Sequence, residues 1–265
     1  LQSAPLSEIP MQLHQTQAAI TGGASGLGLA VARHLIAHGA SVTLLDVNAE
    51  KGQAAAVELG ERARFAVLDV TSEADVGSVL ANAKAAMGGL NAIISCAGIL
   101  GAGRVLGKDG PMPLSQFETT VRVNLVGSFN VAKAAANLMQ ANAPGEDGER
   151  GVIINTASIA AFEGQIGQAA YSASKGGIVA MALPMAREFA RIGVRVMTVA
   201  PGVFHTPMVD GMPQAVYDSL CAQVPYPSRL GKPDEFADAV AFILQNRYLN
   251  GSVIRVDGAI RLQPK

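Results

Sequence analysis

The sequence contains no tryptophan, only two cysteines in 265 residues, and a formal net charge of just -1. Cys96 and Cys221 are too few for a disulfide framework in a chain of this length, so a reducing compartment is expected. That means the cytoplasm, or the mitochondrial matrix in a eukaryotic source. The balanced charge supplies no basic footprint, so neither nucleic acid nor an anionic membrane is expected as a partner. No apolar run reaches the roughly 18–20 residues needed to span a bilayer. The first fifteen residues lack the basic start and long apolar centre of a secretion signal, and the Arg-rich pattern of a transit peptide. Residues 1–15 are read as a frayed or added tail, with Met11 as a natural start.

What is present is a large apolar inventory: 49% hydrophobic residues and 29 glycines. A chain of this size can bury both faces of one sheet. Seven apolar runs alternate with helical patterns: Thr16–Thr21, Ser41–Leu45, Arg64–Leu68, Leu90–Ser95, Gly151–Thr156, Gly193–Val199 and Ser252–Val256. No internal repeat or linker interrupts them. The expectation is one α/β domain over residues 16–265, a doubly wound parallel sheet of Rossmann type with helices on both faces.

The first run leads into Thr21-Gly22-Gly23-Ala24-Ser25-Gly26-Leu27-Gly28 and then an amphipathic stretch to about His38. Glycines between a strand and a helix let the backbone approach a pyrophosphate at the helix N-terminus. Alone, such a turn is equally a plain tight turn; its position between strand and helix favours a dinucleotide site. Asp46 ends the second run about twenty residues on, where a carboxylate accepts from the adenosine ribose hydroxyls and repels a 2′-phosphate. The cofactor expected is therefore NAD, although Asp46 could instead cap the helix starting near Ala49. Asp69-Val70 ends the third run beside the expected adenine site, and Asp69 could also be a cap. Cys96-Ala97-Gly98 closes the fourth run with small residues, and Cys96 reads as packing rather than as a nucleophile.

Ser158 follows the apolar run Val152-Ile153-Ile154, Tyr171 comes thirteen positions later, and Lys175 four beyond that. In a helix this last spacing puts phenol and ammonium on one face. A cation beside a phenol lowers its pKa from about 10, and such a phenol exchanges a proton with an alcohol or carbonyl oxygen. Ser158 could hold that same oxygen. This is chemistry for carbonyl/alcohol interconversion, and it requires a hydride carrier. No metal enters the reading. Ser115 is expected to cap a helix running to about Ala141. Asn124 lies inside it among apolar residues, as a hydrogen-bond hub or as part of a proton relay. Two segments are read as substrate loops: the Gly/Pro-rich stretch 99–114, carrying Arg104, Lys108 and Asp109, and the Pro/Met-rich stretch 203–229, expected as a mobile lid.

TGGASGLG, Asp69-Val70, Cys-Ala-Gly at 96–98, Asn124, Ser158, Tyr171-x-x-x-Lys175 and Pro201-Gly202-x-x-x-Thr206, in that order, resemble the short-chain dehydrogenase/reductase family from about Gln17 onward. GVIINTASIAAFEGQIGQAAYSASKGGIVAM, QVPYPSRLG and VIRVDGAIRLQP further resemble the branch acting on 3-hydroxyacyl-CoA thioesters with NAD, with side activity on hydroxysteroids. The resemblance implies Tyr171 as general acid/base and Lys175 as the residue that tunes it and holds the nicotinamide ribose. It implies Ser158 for the substrate oxygen, Asn124 for a water relay and Gln165 for the substrate wall. Ser25, Leu27, Asp46, Asp69, Val70, Cys96, Phe204 and Thr206 match cofactor-contact positions, beside the glycines Gly22, Gly26, Gly28 and Gly98. It also implies a homotetramer. The alternatives are a hydroxysteroid or other secondary-alcohol dehydrogenase, a ketoacyl-carrier-protein reductase, against which Asp46 argues, and a non-catalytic scaffold subunit retaining the fold.

Overall fold

The computed structural model describes residues 12–207 and 213–264. Residues 1–11 of the expected tail, and part of the expected lid, lie outside the described residues. Residues 13–15 correct the tail reading: Leu13–Gln15 form a 3-10 turn, and Leu13 is buried in the core.

All seven expected strands form, within two residues at each end. They are β1 (Gln17–Thr21), β2 (Ser41–Asp46), β3 (Ala63–Val67), β4 (Ala92–Ser95), β7 (Gly151–Thr156), β8 (Val194–Pro201) and β9 (Val253–Val256). A small antiparallel hairpin, β5 (Leu106–Gly107) with β6 (Gly110–Pro111), lies inside the long 99–114 loop. The main sheet is parallel, in the order β3-β2-β1-β4-β7-β8-β9. Chain order therefore reverses between β1 and β4. A doubly wound sheet opens its ligand crevice at that reversal, outside the carboxyl ends of the strands.

Because side chains alternate along a strand, each strand feeds two cores. Ile20, Leu44, Ile94, Ile154 and Met197 face α1 (Gly26–Ala37), α2 (Ala49–Leu59) and α8 (Pro233–Gln245), where Phe236 is fully buried. Ala19, Leu45, Ile93, Ile153 and Val196 face α3 (Glu73–Met87), α5 (Gly127–Met139) and α6 (Ala169–Phe189). Pro233 takes the first position of α8, where its missing N–H costs nothing. Within the expected lid, α7 (Gln214–Ala222) is helical. No helix among the described residues is long and apolar enough to cross a membrane.

The long helix expected from Ser115 to Ala141 is instead two. α4 (Leu114–Val121) has Pro113 at its N-cap, and a π-helical turn at Arg122–Val126 separates it from α5. Asn124 is at the centre of that turn.

Candidate active site

The glycine turn is built by contact rather than by flexibility alone. A Cβ on Gly22 would come within 2.8 Å of the Ala97 nitrogen, and one on Gly28 within 2.3 Å of the Gly22 carbonyl oxygen. Gly22 and Gly26 also take positive φ, 64° and 54°, which glycine adopts without strain. The turn thus presses against the end of β4, and the Ala97 N–H donates to Thr21 Oγ1 at 3.2 Å. Ser25 begins α1 in extended backbone; its hydroxyl makes no capping bond, and the residue is exposed. Leu27 turns back onto the core. Thr206 stands over the turn, its Cβ 3.8 Å from where a Gly26 side chain would begin.

Asp46 ends β2 beside this turn. Its Oδ2 accepts the Ala24 N–H at 3.2 Å and its Oδ1 the Asn48 N–H at 3.0 Å. The N-cap of α2 is Asn48, which accepts the Lys51 N–H, so the capping alternative for Asp46 does not hold. Asp69 accepts the Thr71 N–H at 2.9 Å, and Ser72 is the N-cap of α3. Val70 is buried against Gly127, where a Cβ would meet its methyl group at 2.5 Å. Phe204 bridges to Gly231, and its buried ring meets Phe236 edge-on at 6.2 Å. What Phe204 presents toward a ligand is therefore backbone.

Ser158, Tyr171, Lys175 and Asn124 converge at the carboxyl ends of β4 and β7. Ser158 opens a one-turn 3-10 helix and accepts the Ala160 N–H at 3.1 Å. Lys175 lies one helical turn beyond Tyr171 on α6, with its Nζ 5.8 Å from the phenol ring centroid. That ammonium is buried and donates to the Thr156 carbonyl at 2.8 Å. Burial lowers the Lys175 pKa to about 8, opposed by the nearby Cys96 sulfur.

Tyr171 departs from expectation. Burial raises the phenol pKa, and a hydrogen bond from Ser158 pulls it down. Lys175 does not lower it in the protein alone: the ammonium is turned to Thr156 O, and desolvation outweighs a cation beside the ring. Cys96 is also pushed up, to about 11, by burial, with Thr156 Oγ1 at 3.4 Å. This fits packing rather than nucleophilic work.

Asn124 is fully buried. Its Oδ1 accepts the Ile99 N–H at 2.8 Å, while its Nδ2 donates to the Ile99 carbonyl at 2.9 Å and to Ser174 Oγ at 3.0 Å. Its own carbonyl accepts Ser128 Oγ at 2.6 Å. A Cβ on Gly98 would lie 3.1 Å from Asn124 Oδ1 and 3.6 Å from Lys175 Nζ, so Gly98 keeps this corner open. Of the two readings of Asn124, the hub is what the geometry displays. Asn124→Leu would remove the bonds to Ile99 and leave buried Ser174 without that partner, at about 1–3 kcal/mol in all. A clear drop in the urea midpoint is expected.

Thr156, Ser174, Ser128 and Thr21 all serve the site without having been singled out in the sequence. Two carried a signal: Thr21, which heads the glycine turn, and Ser174, by its place between Tyr171 and Lys175. Gln165 is in the loop after Ser158, but its side-chain amide donates to the Gln263 carbonyl at 3.0 Å. Arg104, Lys108 and Asp109 lie in the exposed 99–114 loop.

A strand–glycine turn–helix unit with an acid at the end of β2, and a Ser/Tyr/Lys set at the neighbouring strand ends, make up a candidate oxidoreductase site. Residues 16–216 match the model of the short chain dehydrogenase family, and the chain belongs to that family. It is 55% identical over 249 residues to human 3-hydroxyacyl-CoA dehydrogenase type-2, covering 93% of this chain and 95% of that protein. The Bos taurus protein of the same name is 53% identical over the same shares. The crystal structure of 3-hydroxyacyl-CoA dehydrogenase type-2 from Mycobacterium avium superposes with a TM-score of 0.92 at 44% identity, covering 96% of this chain and 99% of that one.

Proposed function

We propose that this chain is an NAD-dependent 3-hydroxyacyl-CoA dehydrogenase, interconverting a 3-hydroxyacyl-CoA and the 3-ketoacyl-CoA. The observation that carries the reading is the joint placement of Ser158, Tyr171 and Lys175 beside the glycine turn, in a chain similar along nearly its whole length to type-2 enzymes. The turn suits a dinucleotide: Gly22 and Gly28 let it pack tightly against the end of β4, the Gly26 position opens with Thr206 3.8 Å away, and Asp46 stands beside it, where it would meet the ribose. When bound, the nicotinamide ring accepts or returns the hydride. Gly22, Ser25, Gly26, Leu27, Gly28, Asp46, Asp69, Val70, Cys96, Gly98, Phe204 and Thr206 would hold the cofactor, with Tyr171 and Lys175 at its reactive end.

Ser158 orients the substrate oxygen, and Tyr171 takes its proton in oxidation and returns it in reduction. Lys175 places positive charge beside the phenol where negative charge develops. Asn124 would support a water relay by bracing the π-helical turn through its bonds to Ile99 and Ser174. Assembly as a homotetramer completes the reading, and exposed Phe117, Phe129 and Phe242 offer apolar surface for it.

The test is NADH oxidation with acetoacetyl-CoA, run beside NADPH and beside a ketosteroid. Fast turnover with NADH and the thioester is expected. A preference for the ketosteroid would move the assignment to the steroid branch. Asp46→Ala is expected to relax the discrimination against NADPH, while Asp46→Asn, which keeps an acceptor for Ala24, separates charge from bracing. An unchanged NADH/NADPH ratio in both would remove Asp46 from cofactor choice.

A further inference from the structure

The C-terminal residues contribute no group to the site just described, yet they touch both segments that flank its substrate side. Gln165 Nε2 donates to the Gln263 carbonyl and the Ile166 N–H to the Pro264 carbonyl, each at 3.0 Å. The Tyr226 N–H, in the lid, bonds the Gly258 carbonyl at 3.4 Å. Ile260 is fully buried with Ile159 and Val224, one from each segment, and Leu262 packs beside them. One carboxylate fastens the arrangement. Glu163 receives Arg255 Nη2 on both oxygens, at 2.8 and 3.2 Å, and Arg261 Nε at 3.1 Å. Both arginines also meet Asp257 Oδ2, at 2.7 and 3.2 Å. The Arg255 guanidinium lies 5.1 Å from the centre of the Phe162 ring.

A paired, planar guanidinium fixes the direction as well as the distance of its carboxylate. Four charges of alternating sign, only partly exposed, therefore set where residues 162–166 sit relative to β9. Ser158 begins the same short segment, four residues before Phe162. The catalytic strand ends are held independently, by the sheet and by the Thr156 carbonyl on Lys175.

We infer that Glu163 is a positioning residue for substrate: through Arg255 and Arg261 it ties residues 162–166 to the C-terminal tail, so that the wall carrying Gln165 is preformed before substrate arrives. The inference rests on the proposed function only for the substrate to be used. A wall that must be ordered on binding costs affinity, whereas a preformed one does not. The cofactor half of the site, on the glycine turn, does not share these contacts.

The experiment compares wild type, Glu163→Gln, Arg261→Gln and the double variant. Arg261 is more than half exposed, so its replacement does not threaten folding. The KM for acetoacetyl-CoA is expected to rise about tenfold in Glu163→Gln and less in Arg261→Gln. The double variant should resemble Glu163→Gln alone, since the Glu163 change already cuts the Arg261 link to the loop. The NADH dissociation constant, read by fluorescence, should hold in all three. Hydrogen exchange of peptides covering 162–168 should speed up in the same order, whatever the substrate turns out to be. Unchanged exchange in Glu163→Gln overturns the inference. So does a rise in KM matched by an equal loss of NADH affinity, which marks general loosening. If wild type fails to turn over the thioester, the proposed function fails, and exchange together with KM for the best alternative ketone still decides the role of Glu163.

Discussion

Tyr171→Phe is expected to lower turnover by about two to four orders of magnitude while NADH binding persists. The substitution removes one oxygen and leaves the ring, with Lys175 Nζ 5.8 Å from its centre, and the Lys175 bond to Thr156 intact. What is lost is the group proposed to exchange a proton with the substrate oxygen. The size of the loss separates this role from simple positioning, which a phenylalanine of the same shape would largely preserve. The pH profile carries a second signature. Burial raises the phenol pKa in the protein alone, and Ser158 only partly offsets it. Oxidation, which needs the phenol as a base, should therefore accelerate toward alkaline pH, and Tyr171→Phe should flatten that limb. Near-wild-type turnover in the variant would remove Tyr171 from the proton transfer. Stopped-flow NADH absorbance across pH, with the fluorescence of bound NADH as the binding control, provides both readings.

The sheet was legible because its strands are buried on both faces and so read as short, nearly continuous apolar runs. The glycine turn and the Ser158, Tyr171 and Lys175 spacing were legible because each places its chemistry within one strand–turn–helix unit. The π-helical turn at Arg122–Val126 was not, since VRVNLV continues the apolar rhythm of a plain helix. The partners of the turn are 25 residues distant, in the two bonds between Asn124 and Ile99. The direction of the Tyr171 shift was hidden for a similar reason. Spacing brings Lys175 to the right face, but burial and the Thr156 carbonyl decide where its charge points. The orientation of Gln165 was likewise hidden, since it is set by the Gln263 carbonyl, 98 residues later, which takes its amide. Local pattern reveals elements and their chemistry; tertiary partners decide protonation and orientation.

Lys175→Met is expected to abolish most of the activity and, at neutral pH, to make the protein more stable. Lys175 is held in the core with its pKa lowered from 10.5 to about 8, chiefly by desolvation. That displacement corresponds to about 3 kcal/mol of penalty on the ammonium. Methionine fills a comparable volume without charge, but leaves the Thr156 carbonyl without its donor, at about 1–2 kcal/mol. A net gain of about 1–2 kcal/mol in urea unfolding at pH 7 follows. The sign of its pH dependence is fixed by where the proton resides. Between about pH 8 and 10.5 the unfolded lysine keeps a proton that the folded one has lost, so wild-type stability rises with pH through that window. The advantage of Lys175→Met should therefore shrink as pH approaches 10.5. A variant less stable than wild type at pH 7 would show that Thr156 and its surroundings satisfy the ammonium fully. A gain that fades with pH, together with the loss of activity, would show that the site keeps a destabilising charge that turnover requires.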